Sequence, residues 1–220
     1  MRRNVYMSAE ECKIRCIIAI AMIAILIIGG IISVLVPLSA PQNAKSQYFC
    51  DSRAFSIPLD VDVKNMSDET LYNIKGEWFY TFEDNLTMND SEGNIVREMK
   101  DNYNFITQND HAIVNNDGTL YVMEGNFKFF GDSYKIYNSD KEQVATLECN
   151  WLMTSCELRD MQGNLMAEYS THILRKDYII SIYDECTIDE ESVLLLFASA
   201  ESDSRAYSSS SYSSSSSSIS

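Results

Sequence analysis

The chain has 220 residues (25.0 kDa), a formal net charge of −15 and a pI near 4.4, which allows one folded domain with appendages. That acidity excludes nucleic acid as a partner, because a binder needs surplus Lys and Arg to displace counterions from phosphates. Six cysteines beside only two histidines, with no C-x-x-C, argue against a zinc site.

Residues 1–15 form a short basic segment. No charged residue lies between Arg15 and Lys45, and "CIIAIAMIAILIIGGIISVLVPL" (16–38) predicts a transmembrane helix, having the roughly 20 apolar residues that a span requires. The rival is a cleaved signal peptide, suggested by "LSA" before Pro41; apolar cores of signals are shorter, about 7–15 residues. Arg2, Arg3, Lys13 and Arg15 precede the span, whereas only Lys45 and Arg53 closely follow it. The positive-inside rule therefore predicts a single-pass signal-anchor of type II topology, with a cytoplasmic N-terminus and a body outside or in a lumen. Glu10 and Glu11 offset two of the four leading cations, so the rest of the chain carries −17. Cys12 and Cys16, at the cytoplasmic border, are either palmitoylation candidates or ordinary thiols at a helix end.

Residues 39–55 ("SAPQNAKSQYFCDSRAF") read as a polar stalk, and residues 56–203 as the folded body. Short runs of Tyr, Phe, Ile and Val broken by Asp, Asn and Gly predict strands and hairpins. Four stretches repeat that pattern: "MNDSEGNIVREM" (88–99), "IVNNDGTLYVM" (113–123), "IYNSDKEQVATL" (136–147) and "LRDMQGNLMAEY" (158–169). Gly93, Gly118 and Gly163 mark the first, second and fourth turns, and Lys141 replaces glycine at the third, where a residue tolerating positive φ is wanted. A repeated unit of about 23 residues implies an antiparallel meander or barrel. Alternation puts Ala145, Leu147 and Cys149 on one face, and Cys156 with Leu158 on another. The two cysteines then meet across the connection, either as a disulfide or as small buried apolar residues. "DYIISIYDE" is the last strand, with Tyr178, Ile180 and Ile182 on one face.

The strand "YKIYN" (134–138), the return "VAT" (144–146), the turn "RDMQGN" (159–164) and the apolar stretch after an acidic loop come in an order that resembles the LURP-one-related family. Its barrel is shared with the tubby C-terminal domain and the phospholipid scramblases, and the likeness covers roughly residues 126–200. What the resemblance implies is a mainly β fold: an antiparallel barrel of hairpins closed around a hydrophobic C-terminal helix. "VLLLFASA" (193–200) supplies that helix, about 192–201, since a helix enclosed by a wall must be apolar on all sides. At about 12 Å it is too short to cross a bilayer of about 30 Å. An edge strand is the alternative for so short a run. Tubby-like domains that bind phosphoinositides use basic surface residues, and Arg175–Lys176 is the nearest approach here. The resemblance therefore carries the fold and not a lipid site.

No phosphate loop, nucleophile elbow or paired histidines occur, so we assign no catalytic, cofactor-binding or metal-binding residues. "DVD" (60–62) reads as a solvated acidic loop, because the pattern of a calcium-binding hand fails around it. "DECTIDEE" (184–191) reads as a loop whose last carboxylates favour the helix N-terminus. His111 and His172 are expected to be structural or exposed. Sequons at Asn65, Asn85 and Asn89 are glycosylation candidates in a lumenal domain. Residues 204–220, a serine-rich tail, are expected to be disordered. The expectation that joins these readings is a non-enzymatic, membrane-anchored barrel for binding or scaffolding. The alternatives are a scramblase-like or lipid-binding protein and, more remotely, an enzyme.

Overall fold

The computed structural model describes residues 41, 43–52, 59–78, 84–101, 110–128, 131–172 and 177–213. The chain divides into two compact units, and the fold below belongs to the larger, Leu38–Thr171 with Lys176–Ser220. The basic segment 1–15, the expected span 16–38, Cys12 and Cys16 lie outside the described residues, as do Arg175–Lys176 and 214–220. No helix of the described residues is long and apolar enough to cross a membrane.

Among the described residues twelve strands run in chain order: β1 (Ser46–Ser52), β2 (Asp60–Lys64), β3 (Thr70–Trp78), β4 (Asp84–Asp90), β5 (Ile95–Asp101), β6 (Asp110–Asn115), β7 (Gly118–Lys128), β8 (Gly131–Asn138), β9 (Gln143–Cys149), β10 (Ser155–Asp160), β11 (Leu165–Thr171) and β12 (Asp177–Ile182). One helix, α1 (Glu190–Ser213), follows. Each strand pairs antiparallel with its successor, and β1 closes the barrel against β12, with Ser46 opposite Ile182 and Asp51 opposite Asp177.

Local chemistry explains the hairpins. Among the described residues, five turns share one design, at Asn65–Glu69, Asp90–Asn94, Asn138–Glu142, Asn150–Thr154 and Asp160–Asn164. In each, the first residue's Oδ1 accepts from backbone N–H groups ahead of it, as Asp90 does from Glu92 and Asn94 at 2.9 and 2.8 Å, and as Asn138 does from Asp140 and Glu142 at 3.0 and 2.9 Å. The fourth residue sits at positive φ: Asp68 64°, Gly93 87°, Lys141 63°, Met153 51° and Gly163 89°. Nothing lies within 4 Å of where a Cβ of Gly93 or Gly163 would be, so conformation rather than crowding selects glycine. A register shift beside four of these turns absorbs the extra residue.

Helix α1 fills the barrel. Ser192–Ala200 are buried without interruption, and Val193, Leu194, Leu195, Leu196, Phe197 and Ala198 are each no more than 1% exposed. Nine residues are two and a half turns, so no face of this stretch meets water. The wall answers with inward Val61, Ile74, Met88, Met99, Ile113, Met123, Ile136 and Leu158, all in one core with the helix. Methionine suits a wall facing a helix, because an unbranched side chain fills irregular gaps. Tyr169 of β11 stacks on Phe197 at 6.1 Å.

Three expectations need correction. The stalk 39–55 contains strand β1, because Tyr48, Cys50 and Ser52 point inward while the partner that makes it a strand, β12, lies more than 120 residues away in sequence. The "DVD" stretch is β2 rather than a loop: Val61 and Val63 are fully buried, and Asp60 and Asp62 point away and accept from the Asn73 amide at 3.1 and 2.8 Å. The helix begins at Glu190 and runs to Ser213 instead of ending near 201, so the serine-rich segment begins as helix. Adding a residue to a formed helix costs little, and serine is only about 0.5 kcal/mol poorer than alanine.

Two outcomes follow from this packing. Burying the five side chains Val193–Phe197 contributes on the order of 10 kcal/mol, comparable to the whole stability of a domain, about 5–15 kcal/mol. A chain ending before Ser192, or carrying Leu195→Asp, should show no cooperative thermal transition, whereas one ending after Arg205 should melt close to the parent. Lys141→Gly should raise the melting temperature by about 2–4 °C, since a side chain at positive φ costs about 1 kcal/mol.

Candidate functional site

With the interior filled, the polar chemistry gathers at the two ends of the helix and on the outer wall. At its start, Asp189 caps α1: its Oδ1 accepts from Ser192 N at 3.0 Å, and its carbonyl accepts from Val193 N at 3.0 Å. Arg97 of β5 reaches Asp189 at 3.4 Å. Glu190 accepts from Ser46 Oγ at 2.9 Å and from the Tyr48 hydroxyl, with Lys45 Nζ at 3.5 Å. Glu191 accepts from Tyr72 OH at 3.2 Å. Strands β1, β3 and β5 thus each hold one of three successive carboxylates, which the positive end of the helix dipole also favours. Burial, then the neighbouring carboxylates, push the Tyr48 and Tyr72 hydroxyls up, which keeps them as donors.

At the far end, buried Asp203 accepts from Tyr134 OH at 3.0 Å and hydrogen-bonds His111 Nε2 at 3.2 Å. Asp132 of β8 is pushed up by burial and then by the Asp203 charge. Glu201, also buried, acts electrostatically on Tyr178 and Cys50. Burial foremost, then the Glu201 charge, push both of those groups well up. A thiol held protonated is a poor nucleophile, and the His111–Asp203 pair is closed to a substrate, His111 being 3% exposed. Among the described residues no group of three or more His, Cys, Asp or Glu could hold a metal ion.

The outer wall carries a carboxylate ladder. Glu148 of β9 stands opposite Glu157 of β10, which stands opposite Glu168 of β11. Like charges directly opposite one another oppose pairing. Arg159 offsets part of this through Glu157, with Nε at 3.0 Å and Nη2 at 2.7 Å. Tyr183 is pushed up to about 12 by burial and then by its hydrogen bond to Glu168.

Of the residues singled out from sequence, Cys149 and Cys156 are direct cross-strand partners with Cα atoms 4.0 Å apart, and their sulfurs are bonded. Cys50 and Cys186 are free thiols. Asn65 leads the β2–β3 turn, accepting from Ser67 N and Glu69 N at 2.9 and 3.0 Å, while Asn85 and Asn89 lie within β4, half-buried. The structure does not bring the three sequons together. Asp189 to Glu191 do flank the helix N-terminus, as "DECTIDEE" suggests. The tyrosines at the helix start, and the Asp203–His111–Tyr134 cluster, went unseen. Their one sequence sign is "ESD" (201–203), acidic residues continuing an apolar helical run.

A protein-family model described as LURP-one-related matches residues 46–198, well over half of the chain. A solved X-ray structure of a protein from Arabidopsis thaliana superposes with a TM-score of 0.51 at 12% identity, over 73% of this chain and 93% of that one. At that identity the likeness is one of fold. No curated protein matches the sequence.

The helix-start cluster sets a pH dependence. Burial alone would raise Glu190, but hydrogen bonds from Tyr48, Ser46 and Lys45 outweigh it and leave the carboxyl lowered. A lowered carboxyl contributes stability above its unfolded value, near 4.3, and loses it as pH falls through the folded value. Glu190→Gln should therefore cost about 1 kcal/mol at neutral pH. In urea titrations the gap between variant and parent should hold down to about pH 5 and close below about pH 3.

Proposed function

The chain belongs to the LURP-one-related family, and from that premise we propose that it is a non-enzymatic binding or scaffolding barrel, tethered to a membrane by the apolar segment 16–38, with its body outside the cytoplasm or in a lumen. The observation that carries this reading is the filled interior. Small-molecule sites are usually clefts of several hundred cubic ångströms, and here the barrel axis is taken by Val193–Ala200, no more than 2% exposed. Binding then falls to the outer wall and the barrel ends, where turn tips, the carboxylate ladder and exposed apolar side chains meet solvent. The His, Tyr and carboxylate groups at the two helix ends are bonded to one another, which supports a structural role for them.

Two features support the outward orientation. The cation asymmetry about residues 16–38 favours a cytoplasmic N-terminus, and a Cys149–Cys156 bridge is stable in an oxidising compartment. The chain enters the barrel at Lys45, next to Glu190. In that compartment the exposed turn at Asn65 is the sequon most open to a glycan, while Asn85 and Asn89 are held in strand pairing.

The experiment is topological. Protease added to sealed vesicles carrying the full chain should digest the C-terminal tail and leave residues 1–15 protected. Cys149 and Cys156 should resist alkylation until a reductant is added. Protection of the tail with loss of the N-terminus would reverse the orientation, and lipid flipping by the reconstituted chain would replace the scaffolding reading with a scramblase-like one.

A further inference from the structure

Five turns share the same Asx-led design, and in four of them the two tip residues include polar groups: Met66–Ser67, Ser91–Glu92, Ser139–Asp140 and Met161–Gln162. The fifth, joining β9 to β10, puts Trp151 and Leu152 there, 72% and 44% exposed. The turn design does not need them, because its siblings form with serine, glutamate or aspartate. This turn is also the most heavily secured. Asn150 donates through Nδ2 to Thr154 Oγ1 and Ser155 Oγ at 2.8 and 3.1 Å, accepts from Thr154 N at 2.9 Å, and the Cys149–Cys156 bridge closes its base. In the up-and-down order of the strands it opens at the end opposite the other four, where the helix leaves the core.

From this we infer that the β9–β10 tip is a docking surface for a partner protein whose apolar pocket is edged by lysine or arginine. Tryptophan is the residue most enriched among interface hot spots, and a tip fixed before contact loses little conformational entropy on binding. The partner's charge follows from what stands behind the tip. Glu148 is three residues from Trp151, about 10 Å along an extended chain, and Glu157 and Glu168 continue the row on the next two strands. This row attracts a basic rim and repels an anionic lipid surface. The inference deepens the reading of the barrel as a binding domain and is independent of the anchor and its orientation, which the protease experiment tests separately.

The test uses the full chain in phosphatidylcholine nanodiscs and a designed amphipathic Leu/Lys helical peptide as the probe. With Trp78→Phe, Trp151 is the sole tryptophan, and its emission should shift to the blue as the peptide binds. Calorimetry on the chain retaining both tryptophans gives the same affinity without relying on that variant. Trp151→Ser should weaken binding by at least about tenfold. The triple variant Glu148→Gln, Glu157→Gln, Glu168→Gln should weaken it several-fold without lowering the melting temperature, and about 0.5 M salt should do likewise. Equal affinity for Trp151→Ser would mean attraction by net charge alone and would overturn the inference. So would equal binding of the Leu/Glu counterpart, an absence of binding, or quenching of Trp151 by brominated phosphatidylcholine, the last of which would make a membrane the occupant.

Discussion

A helix buried for nine consecutive residues has no side left for water, and nearly every other feature of this barrel answers to that condition. Its wall must be apolar around the full circumference, so strands such as β2, β9 and β10 alternate, one face in and one out, while in β12 Tyr178 to Ile182 are all buried. The wall must also be closed, because an open edge would expose both unpaired backbone groups and the side of the helix. Closure falls to β1, a strand with few large apolar residues, which succeeds because β12 on one side and β2 on the other satisfy its backbone.

Among the described residues charged groups enter this arrangement only at the helix ends, and there they are paired across the barrel. Asp189, Glu190 and Glu191 are held by Arg97, Tyr48 and Tyr72 from three strands, and Asp203 by His111 and Tyr134 from two more. A buried carboxylate without such partners would cost several kcal/mol. Paired, each fixes how far the helix slides along the barrel axis, something that uniform apolar packing does not determine. This is a division of labour: apolar burial supplies stability, and end-on hydrogen bonds supply register.

What the sequence made legible was what short-range chemistry determines. The turns at 90–94, 138–142 and 160–164 could be found because an Asp or Asn that accepts N–H groups ahead of it, and a residue at positive φ, lie within five positions of each other. The core helix could be found because nine residues without a polar face have few other uses. By contrast, β1 looked like a stalk because its meaning depends on β12, at the other end of the body. "DVD" looked like a loop because two outward aspartates hid two inward valines, and Asn73, which gathers those aspartates, is on another strand. His111 and Asp203 are 92 residues apart in the chain and meet only once the barrel has closed. The helix overran its expected end because serine was read for its disorder and not for its small cost in a helix already formed.

The acidity that first set this chain apart also divides into parts. Read from composition, −17 over the body looks like one diffuse surface property. In the fold, Asp189, Glu190, Glu191 and Asp203 are committed to the ends of the helix, and Asp90 and Asp160 are committed to turns, where hydrogen bonds from Asn94, side chain foremost, hold Asp90 below the usual carboxylate range and those from Asn164 do the same for Asp160. These groups cannot be exchanged for lysine without breaking the hydrogen bonds they accept. The row Glu148, Glu157 and Glu168 is different: it is aligned in register across three strands, where like charges directly opposite one another oppose pairing, an effect that Arg159 offsets in part through Glu157. A feature that works against the sheet it stands on is not explained by the sheet. Among the described residues it lies beside the one turn that shows two large apolar side chains to solvent, so the cost in pairing and the cost in exposed apolar surface fall on the same hairpin.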